Sequence, residues 1–392
     1  MSHSWIDDEL EHIRQAGLLR RKTVCQSLGQ GKIARQGQTL LDFSANDYLG
    51  LANDPRVIEA GCQAAHESGL GARASQLISG YSPWHEKLTA KLAQFEQTDN
   101  ALLFPSGYTA NLGTIAAVAG PEDVIFSDRF NHACLIDGCR LANSRFRIYR
   151  SQDLEHLESM LQKEIGFRRR FIITDAVFSM DGTIAPLKEL CDLAERYDAI
   201  MIVDEAHGTG VLGEHGRGAC EAAGVQHRVP IRIGTLSKAL GTQGGFVTGT
   251  HALIEFLWNK ARTQMFSTGL SPVLCAGAAA AIDIVTTEPQ RRVHLKALCQ
   301  TLHQALPNVS LDLAPSPDVP ILPVILQDND KTILVAQELE KQGFLVGAIR
   351  PPTVPQGTAR LRISLSAVHT LDQIKSLTTA INTLSMEAAA QS

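Results

Sequence analysis

At 392 residues the chain is too long for one ordinary hydrophobic core and implies two packed domains. Hydrophobic residues make up 44% and charged residues 20%, a globular balance that excludes a largely disordered chain. The net charge of −5 leaves no basic footprint for nucleic acid, although a local pocket can oppose the global sign and hold an anion.

Residues 5–21 have the periodicity of an amphipathic helix, and Asp7, Asp8 and Glu9 make this start unlike a secretory signal. A glycine-rich, hairpin-like stretch follows and ends in Leu41-Asp42-Phe43-Ser44. Short apolar runs at 101–104, 124–126, 171–174, 200–203, 231–233 and 245–248 then read as strands. Helical patterns near 108–118, 153–164 and 187–197 separate several of them. That alternation predicts βαβ units and a mostly parallel sheet, with ligand groups gathered where strands end.

Residues 273–305 read as helical, and a proline-rich stretch (Pro307, Pro315, Pro317, Pro320, Pro323) precedes a new β-rich pattern. Strands are expected at 321–326, 345–349 and 359–365, with helices near 331–342 and 371–386. The fold class is therefore α/β, with a large domain over 46–285 and a smaller α+β domain over 286–392. The segment 1–45 is expected to pack with the smaller domain. The only biased tract is the alanine-rich tail around Ala389.

The longest apolar run, Val273 to Ile282, falls well short of the roughly 20 residues that span a bilayer. The eight cysteines form no CxxC pair and read as buried, reduced thiols of a cytoplasmic protein. The 13 histidines show no HExxH or comparable spacing, so no metal is expected. Gly208-Thr209-Gly210-Val211-Leu212-Gly213 spells GxGxxG, but it runs into another flexible stretch where a dinucleotide fingerprint would open a helix. Asp204-Glu205-Ala206-His207 spells DEAH, yet no GxxxxGK[ST] phosphate loop accompanies it.

Chemistry concentrates at two strand ends. Asp204 and His207 follow the run at 200–203, and Thr235-Leu236-Ser237-Lys238 follows the run at 231–233. An acid, an imidazole and a lysine on one sheet edge suit pyridoxal phosphate, which needs an amine for its aldehyde and a carboxylate for its ring nitrogen. Phe104-Pro105-Ser106-Gly107-Tyr108 supplies a strand-to-helix turn whose first amides can face a phosphate.

These residues carry a resemblance over nearly the whole chain to the α-oxoamine synthases, fold-type I pyridoxal-phosphate enzymes. The motifs are Asn46-Asp47-Tyr48-Leu49-Gly50-Leu51, Ile78-Ser79-Gly80-Tyr81-Ser82, Val177-Phe178-Ser179-Met180-Asp181-Gly182, Val203 to Gly208, and Thr235 to Gly241. Ala348-Ile349-Arg350-Pro351-Pro352-Thr353-Val354-Pro355, continuing through Arg360 and Arg362, looks like the oxononanoate-forming branch. The turn Gly69 to Ser75 is less glycine-rich than is usual in that family, and its frequent Asp-Asp pair is here Asp204-Glu205.

The resemblance implies that L-alanine condenses with a pimeloyl thioester, on coenzyme A or acyl-carrier protein, to give 8-amino-7-oxononanoate for biotin biosynthesis. Lys238 would bond the cofactor and move the α-proton, Asp204 would pair with the ring nitrogen, and His207 would bond the ring's phenolic oxygen. His132 would stack on the ring and help position the acyl donor, with Ser179 near the ring oxygen. Ser106, Gly107, Tyr108 and Thr235 would hold the phosphate, and Ser267 and Thr268 would reach that of a second subunit in a homodimer. Arg362 would clamp the alanine carboxylate with help from Asn46, while Arg20, Arg350 and Thr353 match substrate-contacting positions.

Overall fold

The computed structural model describes residues 4–306 and 315–390, with 385–390 described by backbone alone. Pro307 of the proline-rich stretch and the end of the tail lie outside the described residues, as does the side chain of Ala389. The chain divides into a larger unit, Asp47–Ser179 with Thr183–His294, and a smaller one, Met1–Asn46, Met180–Gly182 and Leu295–Ser392.

The larger unit is built on a seven-stranded sheet. Its order is Asn100–Phe104, Gly245–Gly249, Ile231–Thr235, Ala199–Asp204, Arg170–Asp175, Val124–Asp128, Arg145–Tyr149. Only Gly245–Gly249 runs antiparallel to its neighbours, so the expected mostly parallel sheet is present. Apolar strand residues such as Phe104, Ile125, Ile173, Ile202 and Ile233 are buried in one core with Ile115 of the helix Gly107–Val118. The strand Arg145–Tyr149 was not expected from the sequence. It forms the sheet edge, and Arg145 and Arg147 pair with Glu164, so its charges suit an exposed edge where an apolar run would invite pairing.

The expected helical stretch over 273–305 is present as two helices, Pro272–Thr287 and Gln290–Ala305, broken where Pro289 cannot continue the hydrogen-bond ladder. The first packs on the helix Pro55–Ser68, where a Cβ on Gly61 would stand 3.3 Å from Val273. The second unit boundary falls at 294/295, past the expected 285/286. Arg291 donates to the Leu49 carbonyl and to Asp54, and Arg292 to the carbonyls of Val285 and Glu214, which holds this stretch to the larger unit.

The smaller unit has a six-stranded sheet in the order Cys25–Gly29, Lys32–Arg35, Gln38–Phe43, Phe344–Ile349, Ala359–Ser364, Ile321–Gln327. Three of these strands come from the N-terminal segment, and Gln38–Phe43 pairs in parallel with Phe344–Ile349. Phe43 is fully buried against the His369 ring at 4.3 Å, and burial pulls His369 down to about 4. The N-terminal helix spans Ser4–Gln15 and stops short of the expected residue 21, because Gly17 turns the chain at φ +66°. Met180–Gly182 belongs here: Gly182 has φ +67° and lies so close to the Ile321 carbonyl that any Cβ would overlap it.

Candidate active site

Asp204 is the last residue of the strand Ala199–Asp204 and is 4% exposed. Its carboxylate accepts 2.7 Å from Asn111 Nδ2 and 2.8 Å from the Ala206 amide, two donors that fix its position. Three residues on, His207 uses both ring nitrogens. Nε2 lies 2.8 Å from Lys238 Nζ, and Nδ1 lies 2.6 Å from the Tyr48 hydroxyl. The strand Ile231–Thr235 brings Lys238 to this edge, and the loop after it is closed by Leu236 N–H to the Gly244 carbonyl at 3.0 Å and Gly241 N–H to the Lys238 carbonyl at 2.9 Å.

Ser106 caps the helix Gly107–Val118, its hydroxyl accepting 3.1 Å from the Thr109 amide. Gly107 is needed because a Cβ there would stand 3.1 Å from Thr235 Cβ. Thr235 Oγ1 lies 2.7 Å from Ser237 Oγ and donates to the Gly244 carbonyl at 2.9 Å. The first turn of this helix, whose amides have no intrahelical acceptors, thus lies against Thr235, whose hydroxyl neighbours that of Ser237. Such a turn can take an anion.

His132 opens the helix Ala133–Leu141. Its amide donates to Asp175 Oδ2 at 2.6 Å; the Asp175 amide donates in turn to Asn131 Oδ1, while Asn131 Nδ2 donates to Ser127 Oγ and the Ile173 carbonyl. Burial lowers the His132 imidazole below its usual range, Asp204 opposing and Lys238 reinforcing the shift. Burial raises Asp175 well above the carboxylate range, and the Asp204 charge adds to this. The Tyr108 ring meets His132 edge-on at 6.4 Å, and its hydroxyl bonds Asp137. Ser179 is half-buried in the same unit; Ser267 and exposed Thr268 follow exposed Phe266, with Thr268 bridged to Ser75.

The remaining singled-out residues lie in the smaller unit. Arg362, on the strand Ala359–Ser364, is 7% exposed; it donates to Asn46 Oδ1 at 3.3 Å through Nη1 and again at 3.3 Å through Nη2, and reaches Ser364 Oγ at 2.8 Å. Arg350 Nη1 donates to the Gly17 carbonyl at 2.7 Å, and Thr353 N–H to the Arg350 carbonyl at 3.1 Å. Arg20 and Thr353 are exposed. Arg362 and Asn46 are thus brought together, whereas Arg350 is engaged with backbone.

Sequence reasoning did not assign roles to Asn111, Asp175, Asn131 or Tyr48. Asn111 and Asp175 are polar residues inside apolar runs, a signal that could have found them; Asn131 and Tyr48 stand among polar neighbours and carry no such signal. The GxGxxG stretch 208–213 is loop, as expected. One expectation about the thiols is corrected: Cys25 and Cys62 are exposed, one on an edge strand and one on the outer face of a helix, while the other six are buried.

The donor set fits pyridoxal phosphate: a doubly hydrogen-bonded buried carboxylate, a lysine amine on the same edge, and a helix turn that can take an anion. Residues 38–381 match the aminotransferase class I and II family. An 8-amino-7-oxononanoate synthase from Anaeromyxobacter dehalogenans is 46% identical over 94% of this chain and 92% of that protein. A serine palmitoyltransferase from S. paucimobilis, solved with PLP and myriocin bound, has a TM-score of 0.93 at 30% identity, covering 98% of both chains. An 8-amino-7-oxononanoate synthase from Francisella tularensis has a TM-score of 0.75 at 28% identity, covering 90% of this chain and 98% of that one. The chain is a fold-type I enzyme and belongs to the class I and II aminotransferase family, and within it to the 8-amino-7-oxononanoate synthases.

Proposed function

We propose that the protein, acting in the cytoplasm as a homodimer, condenses L-alanine with a pimeloyl thioester to give 8-amino-7-oxononanoate, carbon dioxide and the free thiol. The acyl carrier is coenzyme A or acyl-carrier protein. The observation that carries the reading is Lys238 Nζ held 2.8 Å from His207 on the strand edge where Asp204 ends, in a chain of this family.

Bound pyridoxal phosphate would supply a protonated ring that stabilises negative charge at the alanine α-carbon. The Asp204 carboxylate, fixed by Asn111 and the Ala206 amide, would face the ring nitrogen and favour its protonated form. Lys238 would hold the cofactor through its aldehyde, and its Nζ would take the α-proton of bound alanine. His207, steadied by Tyr48, would bond the ring's phenolic oxygen, with Ser179 beside it. His132 would stack on the ring and help position the acyl donor. Burial keeps its imidazole neutral, so it can lie flat on an aromatic ring without adding a second cation beside Lys238.

The amides of Gly107 and Tyr108, with Ser106 and Thr235, take the phosphate; Ser267 and Thr268 of a second subunit complete that set. Arg362 clamps the alanine carboxylate with its two-pronged donor, and Asn46 orients the guanidinium. Arg20, Arg350 and Thr353 serve the acyl end. The carboxylate leaves as carbon dioxide only after acylation, when it lies β to the new ketone.

The test is turnover of carboxyl-labelled L-alanine with each pimeloyl donor, following labelled carbon dioxide and the mass of the amino-ketone. Release with at least one donor supports the reading, and competition between the two ranks the carriers. No turnover with either overturns it, and turnover of glycine with acetyl-CoA alone would move the chain to another α-oxoamine branch.

A further inference from the structure

One buried acid beside the site has no part in the chemistry above. Glu205 follows Asp204 directly and is 2% exposed. Its carboxylate accepts from the amides of two residues far along the chain, Ala219 at 2.8 Å to Oε2 and Cys220 at 2.7 Å to Oε1. Gly208 and Gly218 enclose it so tightly that a Cβ on either would overlap the carboxylate. The backbone of Glu205 is equally committed. Its N–H donates to the Ile233 carbonyl at 2.7 Å, and its carbonyl accepts from Gly208 and Thr209 at 2.8 Å each. One residue therefore joins the end of the strand Ala199–Asp204, the adjoining strand Ile231–Thr235, the turn that carries His207, and the far end of the glycine-rich loop.

We infer that Glu205 is a positioning residue for His207: its carboxylate closes the loop 205–220 and so holds the imidazole against Lys238 Nζ. His207 sits two residues from the anchor inside a turn with glycine at 208 and 210, and such a backbone has little stiffness of its own. Two charge-assisted bonds to backbone fix the loop's return, and they strengthen in a dry site. A neutral amide of the same size cannot serve them all, because the Ala219 and Cys220 amides and the Cys220 thiol all donate, to both oxygens, and the –NH2 end of an amide is itself a donor. The neighbouring cation Arg232 does not carry this role, since it is engaged with the Gln226 and Glu96 carbonyls and pairs with the Glu96 carboxylate at 3.5 Å. Glu96 supplies the control. It is a buried carboxylate in the same region, pushed up to about 8 by burial; its oxygens accept no hydrogen bond among the described residues, so it meets Glu205 and Arg217 of the loop as a charge and not as a staple.

The inference rests on the proposed function for its optical and kinetic readouts, and hydrogen exchange is independent of it. Three variants are compared: Glu205→Gln, Ala219→Pro and Glu96→Gln. Proline is tolerated at a first helical position and deletes the amide that meets Oε2 while leaving the carboxylate, so it keeps the test alive where Glu205→Gln fails to fold. Hydrogen exchange of the peptide covering 208–220 is measured on the cofactor-free protein. The pH titration of the cofactor absorbance, kcat, and the KM for alanine follow on the loaded enzyme. We expect exchange at least ~10-fold faster, kcat about 10-fold lower, alanine KM within about 3-fold, and a titration midpoint displaced by at least ~0.5 pH unit in the first two variants. Glu96→Gln leaves all four unchanged. Unaltered exchange in Glu205→Gln or Ala219→Pro shows that the carboxylate does not hold the loop, and the inference fails. Faster exchange with an unmoved titration and kcat makes Glu205 a loop staple only, which also overturns it. A wild-type protein that never takes up the cofactor defeats the functional reading instead, leaving the exchange result to stand alone.

Discussion

Asn111 Nδ2 stands 2.7 Å from Asp204 Oδ2 and 3.1 Å from the Gly107 carbonyl, so one side-chain amide ties a strand-end acid to the first turn of a helix. Both neighbours are acceptors, which fixes the amide's orientation and leaves Oδ1 buried without a partner among the described residues. Replacing Asn111 with leucine removes the bond and keeps the volume. Cofactor affinity and kcat should each fall about 10- to 100-fold, the range for a hydrogen bond to a charged group. Equilibrium dialysis of the cofactor and steady-state rates check this; an unchanged affinity would show that Asp204 needs no such support.

Arg362 presents both terminal nitrogens towards one side, each 3.3 Å from Asn46 Oδ1. A lysine keeps the charge and loses the planar fork. The Arg362→Lys variant is expected to raise the alanine KM about 10- to 100-fold, with a smaller change in the KM for the acyl donor. Equal effects on both substrates would place the guanidinium elsewhere in the reaction.

The acid limb of stability has an identifiable contributor. Burial alone would raise Asp123, but the Arg168 and Arg169 guanidiniums outweigh it and hold the carboxyl down at about 2. A depressed folded-state value stabilises the fold above the ordinary value of 3.8 and is lost as pH falls from there towards 2. Because both arginines are partly exposed, the contribution is about 1–2 kcal/mol. Asp123→Asn should lower Tm at pH 7 and flatten the loss between pH 4 and 2. Urea melts at several pH values measure the slope, and an unaltered slope would refute the assignment.

The thiols give a counting test. Cys25 and Cys62 are exposed, while burial pushes Cys139, Cys275 and Cys299 up to about 12 and Cys191 to about 11. A thiolate-selective reagent at pH 8 should therefore label two of the eight quickly in the native protein and all eight in denaturant. Fast native labelling of Cys134, whose sulfur lies 2.9 Å from His132 Nδ1, would show that the imidazole activates it.

Apolar runs alternating with helical patterns made six strands of the larger sheet legible, because strands buried on both faces show as unbroken hydrophobic stretches. Arg145–Tyr149 escaped that test, since its alternating arginines answer to an edge position that only the finished sheet defines. The reactive residues Lys238, Asp204 and His207 were legible as types at strand ends. What supports them was not: Asn111 lies 93 positions from Asp204 and Tyr48 lies 159 from His207, separations no local pattern spans. Glu205 was read as a tolerated variation beside the working acid, and its partners 14 and 15 residues on became visible only with the loop folded back.

The single reversed strand, Gly245–Gly249, decides how Lys238 can move. A parallel neighbour would have required the chain to cross the sheet after Thr235 and return at the opposite edge. Reversal lets residues 236–244 turn round on the spot, tethered to the sheet at both ends and cross-braced within. The backbone around the lysine is thus anchored on both sides. Any travel of Nζ between cofactor and substrate must come from its own four methylenes, a short tether swinging from a fixed post.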